Sequence, residues 1–354
     1  MSTLSRAKTI TIICWAVSAI ALLGLLAWFL LSNIAGFGFD FGMGTFDPVG
    51  THSVSADNID SVDIDWTSGA VYIGTHHGDE IQITEFARRD LRDGEELSLR
   101  TDGGTLAIQF AERHGLRIGN TLTKRLEVLI PYTRSQDFDI FYVNTVSGRA
   151  VISDIHATDF TVRTTSGRIE LNGITAQDLQ ATTTSGRIEL RRVTAETSLQ
   201  ATTTSGRVEL RNIGAQTLNA TTTSGRIELF ATEADEISLH TGSGRIEARD
   251  TEARRLQTRT TSGRHELFGS FDDVNARSGS GRIEILSEIV PDRVTAQATS
   301  GRIEVTVPDE GAISVQHSTN SGRFSSDIAI TSGGADAQFD LSTRSGRISI
   351  FALR

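Results

Sequence analysis

Residues 179–190 read LQATTTSGRIEL, residues 199–210 read LQATTTSGRVEL, and residues 218–229 read LNATTTSGRIEL. Near-identity at a fixed period marks stacked repeats, in which each unit covers its apolar face only against its neighbours. Outward from these three copies, Ser-Gly-Arg recurs eleven times, with its glycine at Gly148, Gly167, Gly186, Gly206, Gly225, Gly244, Gly263, Gly281, Gly301, Gly322 and Gly346. Half of the ten steps between these glycines are nineteen positions, and the longest are the last two, Gly301 to Gly322 and Gly322 to Gly346. A degenerate copy, Thr67-Ser68-Gly69-Ala70-Val71, precedes the first by close to four periods.

Aligning on the glycine exposes the design of a unit. Seven residues before it the side chain is always apolar, as in Phe160, Leu179, Leu199, Leu218 and Ile237. Three before it stands Thr183, Thr203, Thr222 or an equivalent, and two and four after it come pairs such as Ile188 and Leu190. Within each half these positions are spaced by two, the period of a strand. The density of β-branched residues and the lack of any helical spacing oppose a helical repeat. Each unit therefore predicts a strand, a Ser-Gly bend, a second strand and a variable turn. Ile174, Val193 and Ile213, with Ala176, Ala195 and Ala215 two residues later, outline a short third side. The bend glycine implies an unusual backbone angle or a close approach by the next coil.

The expected fold class is thus all-β, a parallel β-solenoid of about 19-residue rungs. Regular coils are expected over 134–354, with 51–133 forming irregular first coils and a cap, and the terminal ISIFALR a C-terminal capping strand. The threonine column is expected to face inward, its hydroxyls bonded to one another or to backbone, because buried hydroxyls need partners. Thr182 and Thr184, Thr202 and Thr204, and Thr221 and Thr223 should face solvent.

The first residues decide the compartment. Ile10 to Leu31 carries no charge; twenty-two residues at ~1.5 Å rise reach about 33 Å, enough to cross a bilayer. Arg6 and Lys8 precede this run and the first charge after it is Asp40, so the positive-inside rule keeps the N-terminus cytoplasmic and puts the rest outside. The run is too long for the core of a cleaved signal peptide, and Asn33-Ile34-Ala35 is a poor cleavage site. This gives a cytoplasmic segment over 1–9, a single-pass transmembrane helix over 10–32 and a Gly/Phe-rich linker over 33–50.

Composition excludes several classes. Of 354 residues 44 are acidic and 34 basic, a formal charge of −10, which opposes nucleic-acid binding. One cysteine allows neither a disulfide framework nor a Cys-rich metal centre.

The order of features is itself specific: an anchor, a DIDWTSGAVYIG opening, GTLAIQF, RLEVLIPY, then serial Thr-Ser-Gly-x-Ile units. It resembles a bacterial β-strand-repeat family of unknown function that often carries an adhesin label, some of whose membrane-associated relatives are connected to envelope-stress responses. The resemblance covers about residues 55–354 and implies a non-catalytic extracytoplasmic protein, with no catalytic residues or cofactor to carry over. Here Arg follows the bend glycine in all eleven units, where the family more often has Asp.

That column is the main candidate for chemistry: Arg149, Arg168, Arg187, Arg207, Arg226, Arg245, Arg264, Arg282, Arg302, Arg323 and Arg347. Two residues on, Glu170, Glu189, Glu209, Glu228, Glu247, Glu266, Glu284 and Glu304 share its outward face. One reading is a ladder of exposed pairs that offset like-charge repulsion and fix register. The other is a basic stripe gripping anionic envelope glycopolymer or lipid headgroups through many weak contacts, most openly at Arg323 and Arg347, beyond the last Glu. Partners expected are therefore the membrane, an envelope polymer or protein, and further copies of the chain through unpaired edges at the solenoid ends. An ice-binding array is opposed by Arg163, His240, Arg259 and Arg277, which interrupt the outward threonines. A polysaccharide-active enzyme would need a singular acid/base cluster in one rung, and no rung has one. His265 points inward as a core side chain, and the adjacent His76 and His77 point to opposite faces, which opposes a shared metal.

Overall fold

The computed structural model describes residues 46–111, 122–135, 138–331 and 335–353. The membrane helix, the cytoplasmic segment and the linker as far as residue 45 lie outside the described residues; no helix among those described is long and apolar enough to cross a membrane. The first strand, Asp47–Ser55, begins inside the stretch read as linker.

All the described regular structure is β. In the central stack one continuous strand per coil, such as Ile169–Thr183, Ile188–Thr203 and Val208–Thr222, pairs in parallel with the next. Like sits on like: Ile188 pairs with Val208, Glu189 with Glu209, Leu199 with Leu218 and Thr203 with Thr222. Apart from the threonine column, the inward positions of these coils are apolar, and Ile188, Leu190, Val193, Leu199 and Ala201 are all essentially inaccessible. The alanine column closes a third side, as the spacing implies. Departures from the common period are absorbed locally. The coil from Gly186 to Gly206 is one position longer and places the extra residue in a bulge between Ala195 and Ser198. The coil from Gly263 to Gly281 is one shorter and omits a residue opposite the stretch between Ala248 and Thr251.

Close approach explains the bend glycine. A Cβ on Gly186 would fall 1.7 Å from the Gly167 carbonyl oxygen, and one on Gly206 would fall 1.8 Å from that of Gly186. The threonine column bonds to backbone, not to itself: Thr203 Oγ1 donates to the Gly186 carbonyl at 3.3 Å and Thr222 Oγ1 to that of Gly206 at 3.2 Å. The hydroxyls of Thr145 and Thr164 are buried without a partner.

A second corner follows each Ile-x-Leu strand, and its occupants are not glycines alone. Asp154, Arg192, Asn212, Ala231 and Asp250 take φ between 49° and 57°, in the left-handed region. Their position matches Gly173 of the intervening coil (φ 67°).

Both ends depart from chain order. At the C-terminal end, Ala337–Ser345 lies between Arg293–Ser300 and Ile313–Ser321, and Ile348–Leu353 lies between Ile303–Pro308 and Phe324–Ser326. The terminal strand is thus an internal rung and does not cap the stack. The end position belongs to the coil before it in sequence. Inward residues explain the exchange: the slotted coil supplies Phe339, Leu341, Ile348 and Ile350, while the end coil supplies Val315, His317, Phe324 and Ser326. Apolar side chains gain most where both flanks are covered.

At the other end, Ser61–Ser68 lies between Thr105–Gln109 and Phe138–Ser147, and Val71–His76 between Lys124–Pro131 and Ala150–Ser153. Gly69 therefore packs directly beneath Gly148, not four coils away. Here the parallel pattern also gives out. Glu80–Ala87 pairs antiparallel with both Lys124–Pro131 and Asp47–Ser55, and Ser98–Asp102 pairs antiparallel with Thr105–Gln109.

Candidate functional site

The sequence-selected arginines stand in one column along the bend corner, and their surroundings decide what they can do. Within a coil, Arg168 reaches Glu170 at 3.1 Å, Arg226 reaches Glu228 at 2.8 Å and Arg302 reaches Glu304 at 3.1 Å. Between coils, Arg149 reaches Glu170 at 3.3 Å and Arg245 reaches Glu266 at 3.6 Å. Arg187, Arg207, Arg264 and Arg282 likewise each meet a carboxylate within 4.0 Å. The glutamates stack directly on one another, Glu189 on Glu209 on Glu228, which alone would be unfavourable.

A second arginine column on their far side, not singled out from sequence, offsets that repulsion. Arg211 Nε donates to Glu209 at 2.7 Å, Arg249 Nε to Glu247 at 2.5 Å, and Arg191 pairs with Glu189. Burial works to raise the Glu209 carboxyl, but the hydrogen bond and charge of Arg211, with Arg187 and Arg207, outweigh it and hold the group below its usual range. Arg211 and Arg249 also lie over Phe230 and Phe268, with ring-centroid distances of 5.8 and 5.2 Å. From Arg149 to Arg302 the column is thus engaged in a charge ladder with the glutamates, joined on their far side at Arg191, Arg211 and Arg249. Arg323 and Arg347 are exposed and meet no carboxylate among the described residues.

Two enclosed ionisable groups need their own account. His265 replaces the usual bend isoleucine, stacks between Ile246 and Ile283, and is fully inaccessible. Its Nδ1 lies 2.8 Å from Thr258 Oγ1, itself an inward polar residue where neighbouring coils have Leu239 and Ala276. Burial pushes the imidazole down to about 4, against a smaller upward pull from the Arg277 backbone. This is the core histidine anticipated from its place in the repeat.

Lys124 went unrecognised in the sequence, because it belongs to an irregular coil. It is also inaccessible, with Nζ 2.5 Å from Glu85 Oε1 and 2.6 Å from the Glu95 carbonyl, and it donates to the Phe110 carbonyl as well. Its ammonium sits 4.1 Å from the Phe110 ring centre, and Trp66 Nε1 donates to the Lys124 carbonyl at 3.3 Å. Burial lowers its pKa, and Glu85 pulls the other way. The backbone of Lys124 stands against Gly69 as a bend glycine stands against its neighbour elsewhere, so the side chain pins the first corner of the stack.

The histidine pair does not converge. His76 Nδ1 accepts from the Gly78 amide at 3.1 Å, which leaves Nε2 to donate to the Glu80 carbonyl at 2.8 Å, while the His77 ring lies against Tyr132. No group of three or more metal-ligating side chains occurs among the described residues.

Comparison with known proteins identifies a family. A search of curated proteins finds no match. Among solved structures, one described as a "putative lipid binding protein" from Parabacteroides distasonis is 17% identical, with a TM-score of 0.42 over 87% of this chain and 98% of its own. A "putative adhesin" from Bacteroides fragilis is 12% identical, with a TM-score of 0.31 over 88% of this chain and 100% of its own. Another from Parabacteroides merdae is 12% identical, with a TM-score of 0.35 over 87% of this chain and 97% of its own. The Toastrack DUF4097 family model matches residues 59–235 and again 199–351, which together run from the capped end through the slotted terminal coil. The chain belongs to the Toastrack DUF4097 family.

Proposed function

We propose that the chain is a non-catalytic, membrane-anchored scaffold of the cell envelope, adhesin-like in presenting one rigid repeated surface outside the membrane, and that it serves the envelope-stress response. The observation that carries this reading is the in-register recurrence of outward residues: Thr182 over Thr202 over Thr221, and Glu170 over Glu189 over Glu209. A surface of equivalent positions suits many weak contacts with an extended partner. The two most deeply enclosed ionisable side chains, Lys124 and His265, are committed to core contacts and do not meet solvent. Fractionation of cells producing the chain with and without residues 10–31 tests the anchor: the full chain should sediment with membranes and the shortened one should not. Protease added outside the membrane should digest the solenoid; protection of the solenoid would end this reading.

A second reading rests on Arg323 and Arg347, the two column members that meet no carboxylate among the described residues. It makes this end a contact for anionic envelope glycopolymer or lipid headgroups. Such binding must weaken as salt screens it. An affinity equal at low and high salt removes it.

A further inference from the structure

The flat face leading into the bends holds a different pair of arginines. Four residues before each bend, the register runs Thr221, His240, Arg259, Arg277, Gln297. Arg259 and Arg277 are exposed and directly paired across adjacent strands, and neither meets a carboxylate among the described residues. The outward positions two residues before them and their neighbours are Ser238, Gln257, Asn275 and Thr295; those two residues after are Gly242, Thr261, Gly279 and Thr299. None is acidic. A glutamate column compensates the corner arginines, whereas this pair has no acidic column beside it.

The same place carries a break in relief. Threonines line the position two residues before the bend at Thr184, Thr204, Thr223, Thr261 and Thr299, and glycines interrupt them twice, at Gly242 and, between the last two, at Gly279. A Cβ there would lie 2.5 Å from the Thr261 carbonyl oxygen, so this backbone has no room for the missing side chain. The gap opens a notch of about 410 Å³, walled by Arg259, Thr261, Arg277, Gly279, Gln297 and Thr299. Two guanidiniums bring donors only, and the flanking hydroxyls can donate as well.

We propose that this notch binds a phosphate group, held between Arg259 and Arg277. A carboxylate has two oxygens and satisfies one guanidinium fork, whereas the tetrahedral oxygens of phosphate serve two forks and a hydroxyl together. The ligand supplies the negative charge that the neighbouring columns lack. The group is the same whether it arrives as a free anion or on a lipid headgroup. The site shares no residue with the bend-corner column, so its failure leaves the scaffold reading and the Arg323/Arg347 reading standing.

The test uses the full-length chain in detergent micelles, titrated calorimetrically with inorganic phosphate. In parallel, the chain in lipid nanodiscs is tested for capture of phosphatidylcholine vesicles with and without phosphatidic acid. The wild type should bind at least one probe, and R259Q/R277Q should lose about tenfold or more in affinity. R277E, which gives Arg259 a ladder-type partner, should keep the thermal transition and also lose binding. R323Q/R347Q should bind as the wild type does. A response to inorganic phosphate assigns a free anion, and capture of phosphatidic acid vesicles alone assigns a headgroup. A wild type silent towards both probes, an R259Q/R277Q variant that binds undiminished, or equal loss in R323Q/R347Q would overturn the proposal.

Discussion

The two ends of the solenoid solve one problem in opposite ways. Stacked coils leave an unpaired edge at each end, and such an edge invites pairing with another chain. At the N-terminal end the parallel stack is closed by a change of direction: Glu80–Ala87 and Asp47–Ser55 add antiparallel strands, Lys124 with Glu85 fills the first corner, and the remaining edge is the mostly exposed strand Asp47–Ser55. At the C-terminal end the outermost coil carries the less apolar residues, and Val315 and Phe324 are only partly buried. One end builds an antiparallel plug, while the other keeps its strongest apolar coil one layer in. The chain is therefore expected to fray from the C-terminal end, and hydrogen exchange should reach the amides of Ile313–Ser321 well before those of Lys124–Pro131.

The largest effect should come from breaking the plug. K124A leaves the Glu85 carboxylate enclosed without its cation, and removing one member of a buried pair costs about 3–5 kcal/mol. The apolar double replacement K124M/E85L should recover most of that loss in urea unfolding, because both charges leave together. A mild K124A would mean that the antiparallel strands, and not the ion pair, hold this end.

The C-terminal exchange of coils can be tested within one column. Phe339 lies directly between Val294 and Val315. F339A should therefore cost about 3–5 kcal/mol as a two-sided core deletion. V315A, at the half-covered end, should cost about 1 kcal/mol or less. Chain order alone would predict the reverse ranking, so equal or inverted losses would restore the terminal strand as the cap.

Between the two ends, His265 sets a pH limit on the middle of the stack. Its pKa is near 6.5 when unfolded and about 4 when folded. Between those values the unfolded chain holds a proton that the folded chain lacks, so stability is full above pH 6.5 and declines as pH falls towards 4. The displacement corresponds to about 3 kcal/mol. H265I, which restores the bend isoleucine, should flatten this part of the pH profile measured by thermal melts. If the slope persists in H265I, it originates in groups other than His265.

How much of this was legible follows from what the chain repeats. The coil, its third side, the inward threonines and the Arg–Glu ladder could all be read because the same residue types recur at one spacing, as in Ile188/Val208 and Glu189/Glu209. Lys124 could not, because a plug occurs once and its partners, Glu85, Glu95 and Phe110, come from separate places earlier in the chain. The coil exchange left a trace only in step length: the last two intervals, Gly301 to Gly322 and Gly322 to Gly346, are the longest and carry the chain past one layer and back. The Arg259/Arg277 pair was visible only as an interruption of the threonines, since the lack of compensation becomes apparent once register shows which columns adjoin it.

The smallest effect concerns the second corner, where the chain accepts left-handed backbone without glycine. Ala231 has φ of 49° and Gly173, two coils earlier than Asn212 in the same column, has 67°. An L-residue with a Cβ pays about 1–2 kcal/mol in this conformation. Glycine removes that strain but loses more conformational freedom on folding, by roughly 0.5–1 kcal/mol. The balance for A231G is a gain of about 0.5–1 kcal/mol, read as a higher urea midpoint with an unchanged slope. The same change in a bend-corner strand, such as A201G, meets no strain to relieve and should only destabilise. A loss in A231G would show that neighbouring corners at Asn212 and Asp250 hold this backbone so firmly that its strain is already offset by stacking.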